Sequence, residues 1–96
     1  MAVSTIVQIK RDDILRIATQ HGASNVRLFG SAARGEAGPE SDVDVLIHLE
    51  PGRSLLDIVA IKQELEDFLG CKVDVLTEAS ISPYLRERIL REAIRL

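Results

Sequence analysis

The stretch from Val26 to Leu49, VRLFGSAARGEAGPESDVDVLIHL, most limits what this chain can become. Val26, Arg27, Leu28 and Phe29 form a short apolar run that stops at Gly30-Ser31, the pattern of a buried strand meeting a tight turn. Ser31-Ala32-Ala33-Arg34 is helix-permissive, so one helical turn is expected to start at Ser31. A strand that runs into Gly-Ser and then a helix start leaves backbone N–H groups pointing outward, which suits an anion such as phosphate. Gly30 would let the backbone approach closely, and Ser31 would add a hydroxyl donor. The Gly- and Pro-bearing segment from Gly35 to Ser41 reads as a loop.

Asp42-Val43-Asp44-Val45-Leu46-Ile47 then opens a second strand. Side chains alternate faces with period two, so Asp42 and Asp44 share one face while Val43, Val45 and Ile47 point to a core. Two like charges ~4 Å apart at an effective dielectric of ~20 repel by roughly 4 kcal/mol. A hard divalent cation removes that cost, and Mg²⁺ prefers carboxylates together with substrate phosphate oxygens. The connection between the strands has no room for a full crossover helix, which predicts antiparallel neighbours. A D-x-D on a strand by itself usually marks a solvated face, and a Gly-Ser by itself a turn. Their combination on adjacent strands carries the chemistry.

The spacing Gly30-Ser31, ten residues, Asp42-Val43-Asp44 resembles the signature of the polymerase-beta-like nucleotidyltransferase superfamily. The fuller string, Phe29 to Glu36 followed by Ser41 to Asp44, is similar to its minimal branch, the MNT domains, whose best-known members are antitoxins paired with HEPN-domain toxins. The resemblance implies an α+β fold, a small mixed β-sheet of about three strands packed by helices. It also implies transfer of AMP from ATP, with pyrophosphate leaving. On that carry-over Asp42, Asp44 and Asp74 are the catalytic and metal residues, holding two Mg²⁺ ions. Gly30 and Ser31 hold the nucleotide's β- and γ-phosphates. Arg34 either adds charge there or pairs with Glu36. The implied acceptor is a hydroxyl, a tyrosine of a HEPN-type toxin, in a type VII-like antitoxin system.

Ninety-six residues make one domain, residues 1–96, with room for a modest core. Aromatics are 3% of the chain, so that core must be aliphatic. A net charge of −3 argues against direct nucleic-acid binding through a basic surface. One cysteine, Cys71, excludes an internal disulfide and fits a reducing, cytoplasmic setting; at a strand end it reads as a small unreactive residue. No apolar run suggests a signal peptide or a membrane span.

Along the rest of the chain, Ile6–Ile9 reads as a short extended piece and Arg11–His21 as a helix, with His21 a surface residue in its last turn, not a ligand. Ser54 with Asp57 three residues on predicts a capping box, followed by a helix from Leu55 to Leu69 with a stripe of Ile58, Ile61, Leu65 and Phe68, stopped by Gly70. Lys72–Leu76 reads as a third strand. A helix between strands two and three permits a parallel crossover, which places Asp74 on the face of Asp42 and Asp44. Ser82 and Pro83 start a last helix expected to run to Leu96. Its four arginines, Arg86, Arg88, Arg91 and Arg95, read either as a solvated face balanced by Glu87 and Glu92 or as a partner-docking surface. The chain has no evident pocket for a large acceptor, so a partner is expected to bring it. Two other readings stand beside this one. A non-catalytic antitoxin would act by complex formation. A small-molecule, antibiotic-type nucleotidyltransferase would need a second acceptor-binding domain or a homo-oligomer to supply it.

Overall fold

A computed structural model describes residues 10–33 and 42–96. The expected extended piece at Ile6–Ile9 lies outside the described residues. In chain order the elements are α1 (Arg11–Gln20), β1 (Ala23–Phe29), α2 (Gly30–Ala33), β2 (Val43–Leu49), α3 (Leu55–Leu69), β3 (Val73–Thr77), a 3₁₀ turn (Glu78–Ser80), α4 (Pro83–Glu92) and β4 (Ile94–Arg95). The strands form one mixed sheet in the order β3-β2-β1-β4. β1 is antiparallel to β2 and to β4, and β2 is parallel to β3. The expected α+β architecture, the antiparallel pair and the parallel crossover are all present.

The sheet separates two apolar layers. Val26 and Leu28 of β1, Val43, Val45 and Ile47 of β2, and Val73 of β3 face α1 and α3, where Ile14, Ile17, Ile61 and Leu65 close the larger core. On the opposite face Phe29, Leu46 and Ile81 are buried against Leu76 and against Ile89, Leu90 and Ala93 near the end of α4. Alternation therefore assigns Asp44 and Asp74 to the α4 face of the sheet.

Local signals explain the helix ends. The Ser54 hydroxyl accepts from the Leu56 N–H at 3.2 Å while the Asp57 carboxylate accepts from the Ser54 N–H at 3.0 Å, a reciprocal capping box. Gly70 ends α3 in the left-handed conformation that its missing Cβ allows. Ser82 caps α4, with Pro83 in the first position. Within α3 the buried residues are Ile61, Leu65 and Leu69, while Ile58 and Phe68 are half-buried at the edge of the core.

Several expected bounds need correction. β2 begins at Val43, so Asp42 stands just before the strand instead of opening it, and β3 runs from Val73 to Thr77 rather than from Lys72 to Leu76. The last helix does not reach Leu96 but stops at Glu92. Ala93 turns to extended backbone, and Ile94–Arg95 pair with Leu28 and Arg27 as a fourth strand. The open edge of β1 offers this segment backbone partners; the Leu96 N–H also donates to the Val26 carbonyl at 3.0 Å. β1 begins at Ala23 rather than Val26, because a register shift between Ser24 and Arg27, with Asn25 at φ 49°, lets the strand continue past an irregularity. The helical turn after β1 starts at Gly30, one residue before Ser31.

Candidate active site

The site is assembled where β1 ends and β2 and β3 begin. Phe29, the last residue of β1, pairs with Asp44 of β2, and Asp44 pairs in turn with Asp74 of β3. One row of the sheet thus carries the chain from the β1–α2 turn to two carboxylates side by side. The turn is cut to fit this row. Gly30 sits at φ 68°, and a Cβ built on it would land on an Asp44 carboxylate oxygen. Any side chain there would push the Asp44 carboxylate aside and strain the left-handed backbone.

Asp44 is half-buried and engaged with its surroundings, whereas Asp42 and Asp74 are exposed. Asp42 and Asp74 line an open cleft of about 730 Å³ together with Lys62, Glu66, Gly70, Cys71 and Lys72. Among the described residues no three His, Cys, Asp or Glu side chains gather tightly enough to hold one ion, so the three carboxylates share an end of the sheet without converging. Their donor chemistry nevertheless fits a hard cation: oxygen ligands only, two of them in register, beside Gly30. The Ser31 side chain and Arg34, the other expected phosphate ligands, lie outside what is described, as does Glu36.

The cleft adds residues that the linear sequence did not single out. Glu66, near the end of α3, accepts from the Val73 N–H at 3.1 Å and from Lys62 at 3.3 Å. These bonds, the backbone one foremost, hold its carboxyl below the usual carboxylate range. Glu66 therefore ties the end of α3 to the first residue of β3, next to Asp74. The Lys62–Glu66 spacing of four on a helix was the available signal, but it reads as an ordinary surface pair until β3 returns beside it. Cys71 is half-buried. Burial first, then the charges of Asp42 and Glu66, push its thiol above the ordinary range, which disfavours the thiolate. His21 takes no part: it faces Glu64 and Asp57 between α1 and α3.

Residues 11–96 match the model of the nucleotidyltransferase domain, and the chain belongs to that family. A provisionally assigned protein adenylyltransferase of Methanocaldococcus jannaschii is 49% identical over 89 residues, 93% of this chain and 95% of that protein. The protein adenylyltransferase MntA of Thermococcus cleftensis is 37% identical over 73 residues, 76% of this chain and 74% of its own length. Among solved structures, one described as a provisionally assigned minimal nucleotidyltransferase superposes with a TM-score of 0.86 at 48% identity, covering 94% of this chain and 92% of that one. The toxin–antitoxin complex MntA–HepT contains a chain of the same fold, with a TM-score of 0.70 at 18% identity, covering 92% of this chain and 69% of that one. This protein is accordingly a nucleotidyltransferase enzyme, and within that class it falls among the minimal nucleotidyltransferases. No helix among the described residues is long and apolar enough to cross a membrane.

Proposed function

We propose that this protein transfers AMP from ATP to a hydroxyl of a partner protein, a tyrosine of a HEPN-type toxin, and so acts as its antitoxin. The observation that carries this reading is the pair Asp44 and Asp74, in register on neighbouring strands, with Gly30 packed against the Asp44 carboxylate where β1 ends. The kinship with protein adenylyltransferases, one of them the MntA of Thermococcus cleftensis, supports protein as the acceptor. A chain of the same fold occurs in the MntA–HepT complex, and a related toxin–antitoxin structure was solved with AMP-PNP.

Asp42, Asp44 and Asp74 would hold two Mg²⁺ ions, which when bound supply positive charge against the phosphates and the leaving pyrophosphate. The chain's own groups do the rest. The backbone at Gly30 and Ser31 receives the β- and γ-phosphates, with Arg34 adding charge. Asp74, on the outer strand and open to the cleft, takes the proton of the attacking hydroxyl. The hydroxyl oxygen bonds to the α-phosphorus as the bond to pyrophosphate breaks.

Incubation with Mg²⁺, the protein encoded beside it, and ATP labelled on the α- or γ-phosphorus tests the reading. Transfer of α-label to the partner supports it, and transfer of γ-label alone overturns it. A second reading, neutralisation by binding alone, is favoured by the first turn of α4, where Tyr84 is 95% and Leu85 50% exposed. A stable complex with no label transferred would support that alternative.

A further inference from the structure

The cleft lies where the end of α3 meets the starts of β2 and β3, and neither Gly30 nor Asp44 lines it. Crossing the sheet from β1, one meets the turn at Gly30, then Asp44, then Asp74 on the edge strand β3, which borders the cleft. If phosphates occupy the turn, the attacking group must come from the opposite side, because displacement at phosphorus runs in line. The cleft is the opening on that side.

Its charges can be sorted. Lys62 is paired with Glu66, and Glu66 is further engaged by the Val73 N–H. Asp42 and Asp74 are the carboxylates assigned to the cations. Lys72 is left over. It is exposed, its backbone carbonyl accepts from the Val43 N–H at 2.9 Å, and it stands two residues before Asp74 on the same side of the chain. Its side chain forms no hydrogen bond or ion pair with any described residue; its charge only reaches Glu66 from a distance. Nothing in the fold requires a cation there, since neither core cluster includes Lys72.

Resting on the reading above, we propose that the cleft lined by Lys62, Glu66, Lys72 and Asp74 is the acceptor subsite, and that Lys72 selects an acceptor segment carrying a carboxylate beside the attacking hydroxyl. The partner is thereby specified by chemistry: an acidic side chain adjoining the modified tyrosine. Lys72 acts as a specificity-determining residue, reading the neighbour of the tyrosine rather than the reacting oxygen.

The test uses three synthetic peptides, each with a single tyrosine and alike except that Glu, Gln or Lys flanks it. Their binding to the whole protein is measured by fluorescence anisotropy with Mg²⁺ and a non-hydrolysable ATP analogue. The wild type should bind the Glu peptide about tenfold more tightly than the Lys peptide, the scale of a close charge pair at an interface. Lys72→Glu should reverse that order and Lys72→Gln should flatten it, with thermal unfolding confirming that both variants fold. An unchanged order in Lys72→Glu overturns the proposal, as does wild-type protein that binds none of the peptides. Reversal of peptide preference without transfer of α-label would leave the subsite standing and bring down the nucleotidyl-transfer reading instead.

Discussion

Asp44 on β2 and Asp74 on β3 are direct partners in a parallel ladder, so two carboxylates stand side by side on one face of the sheet. Like charges directly across a ladder destabilise it. On the proposed reading a bound cation would relieve that repulsion. In the metal-free protein Asp74→Asn should therefore raise stability, by about 0.5–1 kcal/mol because Asp74 is exposed and solvent screens the repulsion. Mg²⁺ should raise the melting temperature of the wild type and much less that of the variant, while transfer of α-label falls to background. Thermal scans with and without Mg²⁺, beside the labelling assay, check all three outcomes.

Gly30 is held by the same row. A Cβ there meets an Asp44 oxygen, and φ is 68°. Gly30→Ala should cost roughly 1–2 kcal/mol from the left-handed backbone alone, with more from the displaced carboxylate. Where the variant still folds, transfer should fall further than stability does, because the shift is applied to a proposed ligand. Chemical denaturation and single-turnover labelling separate the two effects; unchanged transfer in a folded variant would remove Gly30 from the site.

The placement of Asp44 and Asp74 was legible because strand parity depends on sequence alone and the helix between β2 and β3 implied a parallel return; Asp42 stands just before β2, outside the alternation that was to place it. The capping box of Ser54 and Asp57 was equally local. β4 was not legible. Ile94 and Arg95 continue a helical periodicity, and only the free edge of β1, a feature of the assembled sheet, draws them into a strand. Nor could the start of β1 be read, since the irregularity at Asn25 breaks the alternation that marks a strand. The Glu66 bond to β3 and the place of Lys72 in the cleft escaped for a related reason. Each is an unremarkable charged residue until α3 and β3 lie side by side, and that adjacency arises from packing.

Arg27 gives a test of the α4 face of the sheet. Its side chain is only 12% exposed, one terminal nitrogen donates to Glu78 at 2.6 Å, and the other is buried with no hydrogen-bond partner among the described residues. Arg86, which donates to the Glu78 carbonyl, brings a second positive charge near that carboxylate. Removing that carboxylate by Glu78→Gln should destabilise the protein by roughly 2–3 kcal/mol, the cost of leaving a buried cation unpaired. Arg27→Met combined with Glu78→Gln should recover a large part of that loss, since a buried pair is often replaceable by apolar contact. A double-mutant cycle by urea denaturation measures the coupling; additive single and double variants would show that the pair is energetically inert.

The bond from the Val73 N–H to Glu66 makes the β3 end of the site sensitive to acid. The backbone bond, aided by Lys62, lowers the Glu66 pKa from an ordinary value of 4.5. A carboxylate whose pKa is lowered on folding binds its proton more readily in the unfolded chain. Its contribution to stability is thus complete above the unfolded value and is lost as pH falls through the folded one. The wild type should exceed Glu66→Gln in melting temperature at neutral pH; the gap should narrow below the unfolded value and close below the folded one. Because the bond pins the residue next to Asp74, the variant should also show faster amide exchange at Val73 while the centre of β2 stays protected. Melting curves across that pH range, with exchange at neutral pH, decide the point: a gap that persists unchanged into acid would mean that Glu66 holds β3 by packing and not by its charge.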